Sequence, residues 1–401
     1  MHLYDLPLAF ALVGLALYAV LGGADFGAGF WELAAGRGEH GDEIRDQAHE
    51  AMAPVWEANH VWLIFVLTVV WTAYPTAFGS IASTLSIPLF VAGIGIVLRG
   101  GSYAVRTGAI TVATQRRLDA IFGVSSILTP LALGTVVGAI ASEQVHVGNP
   151  GGSLITSWLN PTSIAIGVLA VVIDAYVAAV FLTGDAERRG RTALAERLRL
   201  RALGAGVVAG AVAVAGLVVL YYDANRVFAR LTHGVGTPCL VVSFVSGLAT
   251  LALVRGRRYE PARYTAALAV AATIIGWGFA QNPVFLSDLT VQQAAAGREA
   301  LIAVSVAVVA GAVLLFPALA LLFRLALGGR LEAGEPAEAG RPSLWGSPGR
   351  FGLGARTAGA LLVAGIGFLT IADAPWAHAI GVVCLVAFVA VGFPVLAGGK
   401  A

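Results

Sequence analysis

Residues 6–33 read LPLAFALVGLALYAVLGGADFGAGFWEL, and this stretch decides the fold class. About 20 consecutive apolar residues are enough to cross the hydrocarbon core of a bilayer as a helix, and a helix satisfies its own backbone hydrogen bonds there. The stretch is too long for a signal peptide, lacks a basic segment before it, and ends in Asp and Gly rather than at a small-residue cleavage site. We therefore predict a membrane-spanning helix.

The composition of the whole chain agrees with that prediction. Of 401 residues, 58% are hydrophobic and 12% are charged, whereas a soluble domain carries roughly 25% charged residues. The net charge of +2 is not gathered on one soluble face, which argues against a nucleic-acid partner. Cys239 and Cys384 belong to no CxxC or CxxCH pattern, which argues against a metal cluster or covalently attached heme.

Further apolar segments predict the other spans. They are residues 53–74, 77–98, 118–142, 161–183, 203–222, 238–254, 264–280 and 301–325, followed by two shorter candidates at 357–371 and 378–396. We predict an all-α, polytopic transmembrane helix bundle of about nine core spans with a C-terminal helical hairpin. The predicted division is a bundle over 1–327, a flexible cytoplasmic linker over 328–354, and a transmembrane hairpin over 355–401.

The arginines predict the orientation. They gather in the connections after the third, fifth, seventh and ninth predicted spans, and the opposite connections hold few. Because positive residues accumulate in cytoplasmic loops, we expect these four connections to be cytoplasmic and the N-terminus to lie outside.

Polar side chains cluster where the first two spans approach the cytoplasmic side. Asp25 lies near the end of the first span, and Glu57, Asn59 and His60 lie at the start of the second. Glu57 and His60 are three residues apart, so they share a helix face. Ionisable groups in hydrocarbon are costly and mark functional sites, so these four residues predict a proton pathway. The alternative is that they satisfy one another and only fix the packing of the helices.

Other residues in the spans have weaker signals. Arg99, which either reaches the interface or pairs with a carboxylate of the cluster, and Asp174 are candidates for a secondary polar path. We expect structural roles for Trp56 and Trp62, either at the membrane interface or in helix packing. Close helix contact is the role expected of Gly23 and Gly27.

The sequence predicts no catalytic residue and no metal ligand in this chain. Only His60, of the seven histidines, lies clearly inside a predicted span, and a bis-ligated heme needs a second axial ligand at matching depth. His60 as an axial ligand stays open as an alternative. His40 and His49 are predicted to be solvated loop residues.

Two motifs carry a resemblance to a known family. Residues 23–29 read GADFGAG and residues 54–64 read PVWEANHVWLI. They resemble the Gly-Phe-Asp-(hydrophobic)-Gly-x-Gly and Pro-x-Trp-Asp-Gly-Asn-(Glu/Gln)-x-Trp-Leu motifs of subunit II of the cytochrome bd-type quinol oxidases. The chain departs from the pattern at Glu57, Ala58 and His60, as a divergent branch would. The resemblance is strong over about the first 110 residues and is carried by topology to about residue 325; the final hairpin lies outside it.

The resemblance implies a function and partners. It implies a non-heme subunit of a membrane quinol:O2 oxidoreductase in aerobic respiratory electron transport, in a prokaryotic plasma membrane. A heme-bearing subunit I is the expected partner, with b-type heme and d-type heme as a further candidate, and quinol as electron donor. In that family the carboxylate matching Glu57 belongs to the cytoplasmic proton pathway.

Two other function classes remain open at this point. A proton-coupled membrane transporter would use the same cluster as its coupling site, but such transporters usually show internal repeats and broken helices near the midplane. An inert scaffold would only stabilise a partner subunit within the membrane. In each case the chain also contacts membrane lipids.

Overall fold

The structure is a computed structural model. It describes the backbone of residues 2–36, 38–52, 56–106, 112–148, 153–327, 353–370 and 375–396. The chain forms two compact units, Met1–Phe316 and Pro317–Ala401. The predicted linker lies almost wholly outside the described residues.

Helices account for most of the described chain. In order they are α1 (Leu6–Leu33), α2 (Glu39–Met52), α3 (Trp56–Ala73), α4 (Pro75–Thr84), α5 (Ser86–Arg106), α6 (Val112–Ala141), α7 (Pro161–Arg188), α8 (Thr192–Asp223), α9 (Asn225–Thr232), α10 (Thr237–Arg255), α11 (Tyr259–Gln281), α12 (Val291–Ala294), α13 (Arg298–Leu327), α14 (Leu353–Thr370) and α15 (Pro375–Leu396). A short antiparallel pair, β1 (Val284–Leu286) and β2 (Leu289–Thr290), follows α11.

The prediction of a polytopic helical bundle is confirmed. Among the described residues, 8 helices are long and apolar enough to cross a membrane, or up to 9 if the bent pair formed by α3 and α4 counts as one span. The first span has the predicted bounds, and α7 begins at Pro161 as expected. The second unit contains α14 and α15, which pack against each other as a hairpin.

The third predicted span, over residues 77–98, is wrong in its bounds. The chain bends by 119° between α3 and α4, and the span that follows is α5, which begins at Ser86. The bend has a local cause, because Pro75 has no N–H to continue α3 and disfavours helical geometry at Tyr74. Tyr74 is buried and donates a hydrogen bond from its hydroxyl to the carbonyl oxygen of Tyr4 at 2.5 Å.

The helix α1 lies at the centre of the first unit and contacts α3, α6, α7 and α11. Glycines permit this close packing: a Cβ added at Gly27 would lie 1.9 Å from the carbonyl oxygen of Asp174 in α7, and one at Gly29 would lie 2.2 Å from Ser126 Oγ in α6. Trp31 Nε1 also donates a hydrogen bond to the carbonyl oxygen of Ala175 at 2.7 Å. The polar residues of α1 are therefore held at fixed positions among the neighbouring helices.

The helix α2 is anchored by arginines from a distant connection. Arg189 and Arg191 pair with Glu50, and Arg197 pairs with Glu43. These pairs join α2, in the connection between α1 and α3, to the α7–α8 connection and the first turns of α8. Both connections therefore lie on the same side of the bundle, called here the arginine-rich side, as the arginine distribution predicts.

Candidate functional site

Asp25 and Arg99 form a buried ion pair between α1 and α5. Asp25 is 4% exposed and Arg99 is 2% exposed. Arg99 Nη1 donates to Asp25 Oδ2 at 2.7 Å, and Arg99 Nη2 donates to Oδ1 of the same carboxylate at 2.8 Å. Arg99 Nη2 also donates to the backbone carbonyl oxygen of Asp25 at 2.8 Å. This two-pronged geometry is the strong form of an arginine–carboxylate contact.

The remaining surroundings of the guanidinium come from α1 and α6. Arg99 Nε donates to Ser126 Oγ at 2.9 Å. The guanidinium carbon lies 4.8 Å from the ring centroid of Phe26 and 4.5 Å from that of Phe122, distances at which a cation is attracted to an aromatic face. The structure thus places Arg99 inside the protein in a pair, and not at the membrane interface. Sequence spacing does not indicate Ser126 or Phe122, because both lie on another helix.

The first turns of α3 bring two more predicted residues to this cluster. Asn59 is fully buried, and its Nδ2 donates to the carbonyl oxygen of Leu21 in α1 at 3.1 Å. The ring of His60 meets Phe26 and Tyr18 edge-on, with centroid distances of 6.0 Å and 6.3 Å. The predicted residues Asp25, Asn59 and His60 therefore lie on one side of α1, within about two helical turns of one another.

The structure describes only the backbone of the first turn of α3. Trp56 and Glu57 occupy the first two positions of that helix, and their side chains lie outside the described residues, as does the preceding Pro54. Trp62 is half-buried, and its ring meets Phe65 edge-on at 6.3 Å between centroids. The position of Glu57, two residues before Asn59, puts its backbone at the arginine-rich end of the cluster.

Asp174 lies on the opposite side of α1, in α7. It is 8% exposed, and its Oδ1 is 2.8 Å from where a Cβ on Gly23 would be. Gly23 and Gly27 therefore form the surface of α1 that faces Asp174. Within the described part of the chain, no hydrogen bond to the Asp174 carboxylate is present.

The loop predicted for His40 and His49 is wrong, because both residues belong to α2, although His40 is exposed as expected. His49 belongs to α2 and not to a solvated loop, and its ring centroid is 5.0 Å from that of Tyr103 in α5. His49 also lines a small recess together with Glu32, Ser102 and Asp119. The sequence does not indicate a helix at this position, because a charged, polar segment between two spans resembles a loop.

The described residues contain no group of three or more His, Cys, Asp or Glu side chains placed to hold a metal ion. His60, which the sequence leaves open as an axial heme ligand, packs against aromatic rings of α1.

Comparison with protein families gives a match over most of the chain. The family model described as cytochrome bd terminal oxidase subunit II matches residues 4–326. The match ends before the C-terminal hairpin, where the resemblance in sequence was expected to end.

Relatives and solved structures agree with the family match. The chain is 22% identical over 234 residues to a Bacillus subtilis (strain 168) protein provisionally named a cytochrome bd menaquinol oxidase subunit II, covering 57% of this chain and 65% of the relative. It is 23% identical over 200 residues to the cytochrome bd ubiquinol oxidase subunit 2 of the same organism, covering 47% of this chain and 56% of the relative. A solved bd oxidase from Geobacillus thermodenitrificans has a similar fold, with a TM-score of 0.64 at 24% identity over 82% of this chain and 99% of that chain.

Proposed function

Because the chain belongs to the cytochrome bd terminal oxidase subunit II family, we propose that it is the heme-free subunit of a quinol:O2 oxidoreductase in a prokaryotic plasma membrane. The observation that carries the proposal is the buried polar cluster around Asp25 and Arg99, in a bundle that the family model matches over residues 4–326. The names of the Bacillus subtilis relatives support quinol as the electron donor. The transporter alternative has no comparable support.

The proposed division of labour follows from the family to which the chain belongs. The heme-bearing partner, subunit I, carries b-type heme with d-type heme as a further candidate. It reduces O2 to two water molecules with four electrons from two quinols and four protons. This chain supports the partner in the membrane and supplies protons from the arginine-rich, cytoplasmic side. Because electrons come from quinol while protons come from one side only, the reaction moves charge across the membrane without a pump.

The proposed proton route uses the cluster of α1 and α3. Glu57 takes up the proton, since its carboxyl group can bind and release one, and His60 relays it because one imidazole nitrogen can accept a proton while the other releases one. Asn59 fixes the start of α3 against α1 through its bond to Leu21. The Asp25–Arg99 pair forms a polar surface without net charge beside the route. Asp174, on the opposite side of α1, provides a secondary carboxyl group.

The first experiment tests the assignment to a complex. The chain is tagged and purified in mild detergent together with the product of the neighbouring gene, and a reduced-minus-oxidised spectrum is recorded. We expect a heme signal that follows the tagged chain, together with quinol-dependent oxygen consumption. Solute uptake by the purified chain without any heme protein would contradict the proposal and support a transporter.

The second experiment tests the proton route. Glu57→Gln is expected to slow oxygen consumption by about tenfold in a complex with normal heme content. A positioned proton-transfer group contributes roughly 10²–10⁴-fold, and water recovers part of that loss. The matched control is Glu299→Gln, because Glu299 is an exposed residue at the start of α13. An unchanged rate for Glu57→Gln would leave only the scaffold role.

A further inference from the structure

A small recess opens on the arginine-rich side of the bundle, next to the ion pair. It is large enough for about one water molecule. Four of the side chains that line it are polar or ionisable and come from four different helices: Glu32, His49, Ser102 and Asp119. The sequence does not indicate a site here, because long apolar segments separate the four residues.

Helix periodicity ties this recess to the Asp25–Arg99 pair. Glu32 follows Asp25 by seven residues in α1, and Asp119 precedes Ser126 by seven residues in α6. Seven residues are two turns, so each pair lies on one helix face, about 10 Å apart along the axis. In both α1 and α6, therefore, one residue belongs to the ion-pair cluster, and an acid two turns nearer the arginine-rich side lines the recess.

A residue of α5 and the ring of Phe122 also link the recess to the Asp25–Arg99 pair. Ser102 follows Arg99 by three residues, so it lies on the same face of α5. Phe122 lines the recess, and the centroid of its ring is 4.5 Å from the guanidinium carbon of Arg99. A single aromatic side chain therefore contacts both the recess and the ion pair.

Burial sets Glu32 apart from the carboxylates of α2 on this side, while Asp119 is half-buried. Glu32 is 3% exposed, whereas Glu43 and Glu50 of α2 have side chains 44% and 43% exposed, and both form ion pairs with surface arginines. A carboxyl group held inside the protein beside a space for water can exchange protons with that water.

We propose that this recess is the aqueous mouth of the proton route, with Glu32 and Asp119 as the acids that collect protons from the arginine-rich side. His49 and Tyr103 form its outer rim, and Phe122 separates it from Arg99. The inference rests on the proposed function and deepens it, because it assigns the place where protons leave bulk water and the residues that receive them.

The test uses the purified complex with normal heme content. Glu32→Gln and Asp119→Asn are made singly and together, and oxygen consumption is measured in H2O and D2O. We expect each single change to slow the reaction severalfold, the double change to slow it about tenfold, and the solvent isotope effect to rise, because proton delivery becomes rate-limiting. Glu43→Gln is the matched control in α2 and keeps the normal rate.

Comparison with Glu57→Gln separates the two proposals. A slow Glu57→Gln variant beside a normal Glu32→Gln/Asp119→Asn variant would overturn the recess as the mouth and leave the proposed function standing. Normal rates for both would overturn the proton route as well as the recess, and would leave only the scaffold role in the complex.

A chemical test covers the case in which these variants fail to assemble. In a chain whose native Cys239 and Cys384 are replaced by alanine, His49→Cys places a thiol in the recess at a half-buried position. We expect a positively charged thiol reagent, added from the arginine-rich side, to modify it and to slow oxygen consumption. Glu43→Cys, modified on the exposed face of α2, keeps the rate. Absence of reaction at His49→Cys, or reaction without loss of rate, would overturn the proposal.

Discussion

Arg99→Gln destabilises the first unit by about 3–5 kcal/mol, which is the typical result of removing one partner from a buried ion pair. The expected loss is large because Asp25 is 4% exposed and keeps its carboxylate in the protein interior after the guanidinium is gone. The contacts of the guanidinium with Ser126 and with the two phenylalanine rings are lost as well. The measurement is thermal unfolding of the detergent-solubilised complex, with the yield of assembled complex as a second readout.

The double variant Asp25→Asn/Arg99→Gln provides the decisive comparison. Replacing both charges by neutral amides removes the uncompensated carboxylate, so we expect it to be more stable than Arg99→Gln alone. Arg197→Gln is the surface control. Its pair with Glu43 is solvent-exposed, and such pairs contribute less than about 1 kcal/mol. Equal losses for Arg99→Gln and Arg197→Gln would contradict a structural role for the buried pair.

Gly27→Ala is the second change for which we expect a large effect. The added methyl group would lie 1.9 Å from the carbonyl oxygen of Asp174 and 2.6 Å from Ala178 Cβ. The first of these atoms belongs to the backbone of α7, so it cannot move aside without displacing the helix. Extra atoms in a well-packed core usually cost about 1–3 kcal/mol, and we expect this case to reach or exceed the upper value. Loss of assembled complex and a lower unfolding temperature are the readouts.

A matched glycine separates this clash from the general effect of adding a methyl group to a helix. Gly210 lies within α8, and a Cβ added there would have no neighbour within 4 Å. Gly210→Ala is therefore expected to be neutral or to stabilise the helix by up to about 1 kcal/mol. A complex with Gly27→Ala that assembled and unfolded like Gly210→Ala would show that α1 and α7 do not pack as closely as described.

Some parts of the site were visible in the sequence because they depend on local pattern. Asp25 stands out as a charge in an apolar run, and Glu57 and His60 stand out by their spacing at the start of the next span. The arginine-rich connections also indicated which ends of the helices share one side, and the pairs between α2 and the α7–α8 connection agree with that prediction. The roles assigned to these residues in proton transfer stay predictions.

Other parts could not be found from the sequence because they depend on contacts between distant helices. Arg99 had two possible placements, and the structure pairs it with Asp25, a residue 74 positions away. The sequence predicts a loop at His49, since nothing local distinguishes a polar amphipathic helix from a hydrophilic connection. The bend at Tyr74 was also missed, although Pro75 provides its local cause, because uninterrupted hydrophobicity outweighed one proline in placing the third span.

The sequence by itself determined that this chain is a multi-span helical membrane protein, which side its connections share, and which family it resembles. These properties follow from hydrophobic length, charge distribution and short motifs, all of which are local. Only the tertiary structure decided which buried charge meets which, where glycines let α1 approach α6 and α7, and that Glu32 and Asp119 share a recess beside the Arg99 cluster. Such pairings depend on the rotation and depth of each helix against its neighbours, and the packing of the whole bundle sets these.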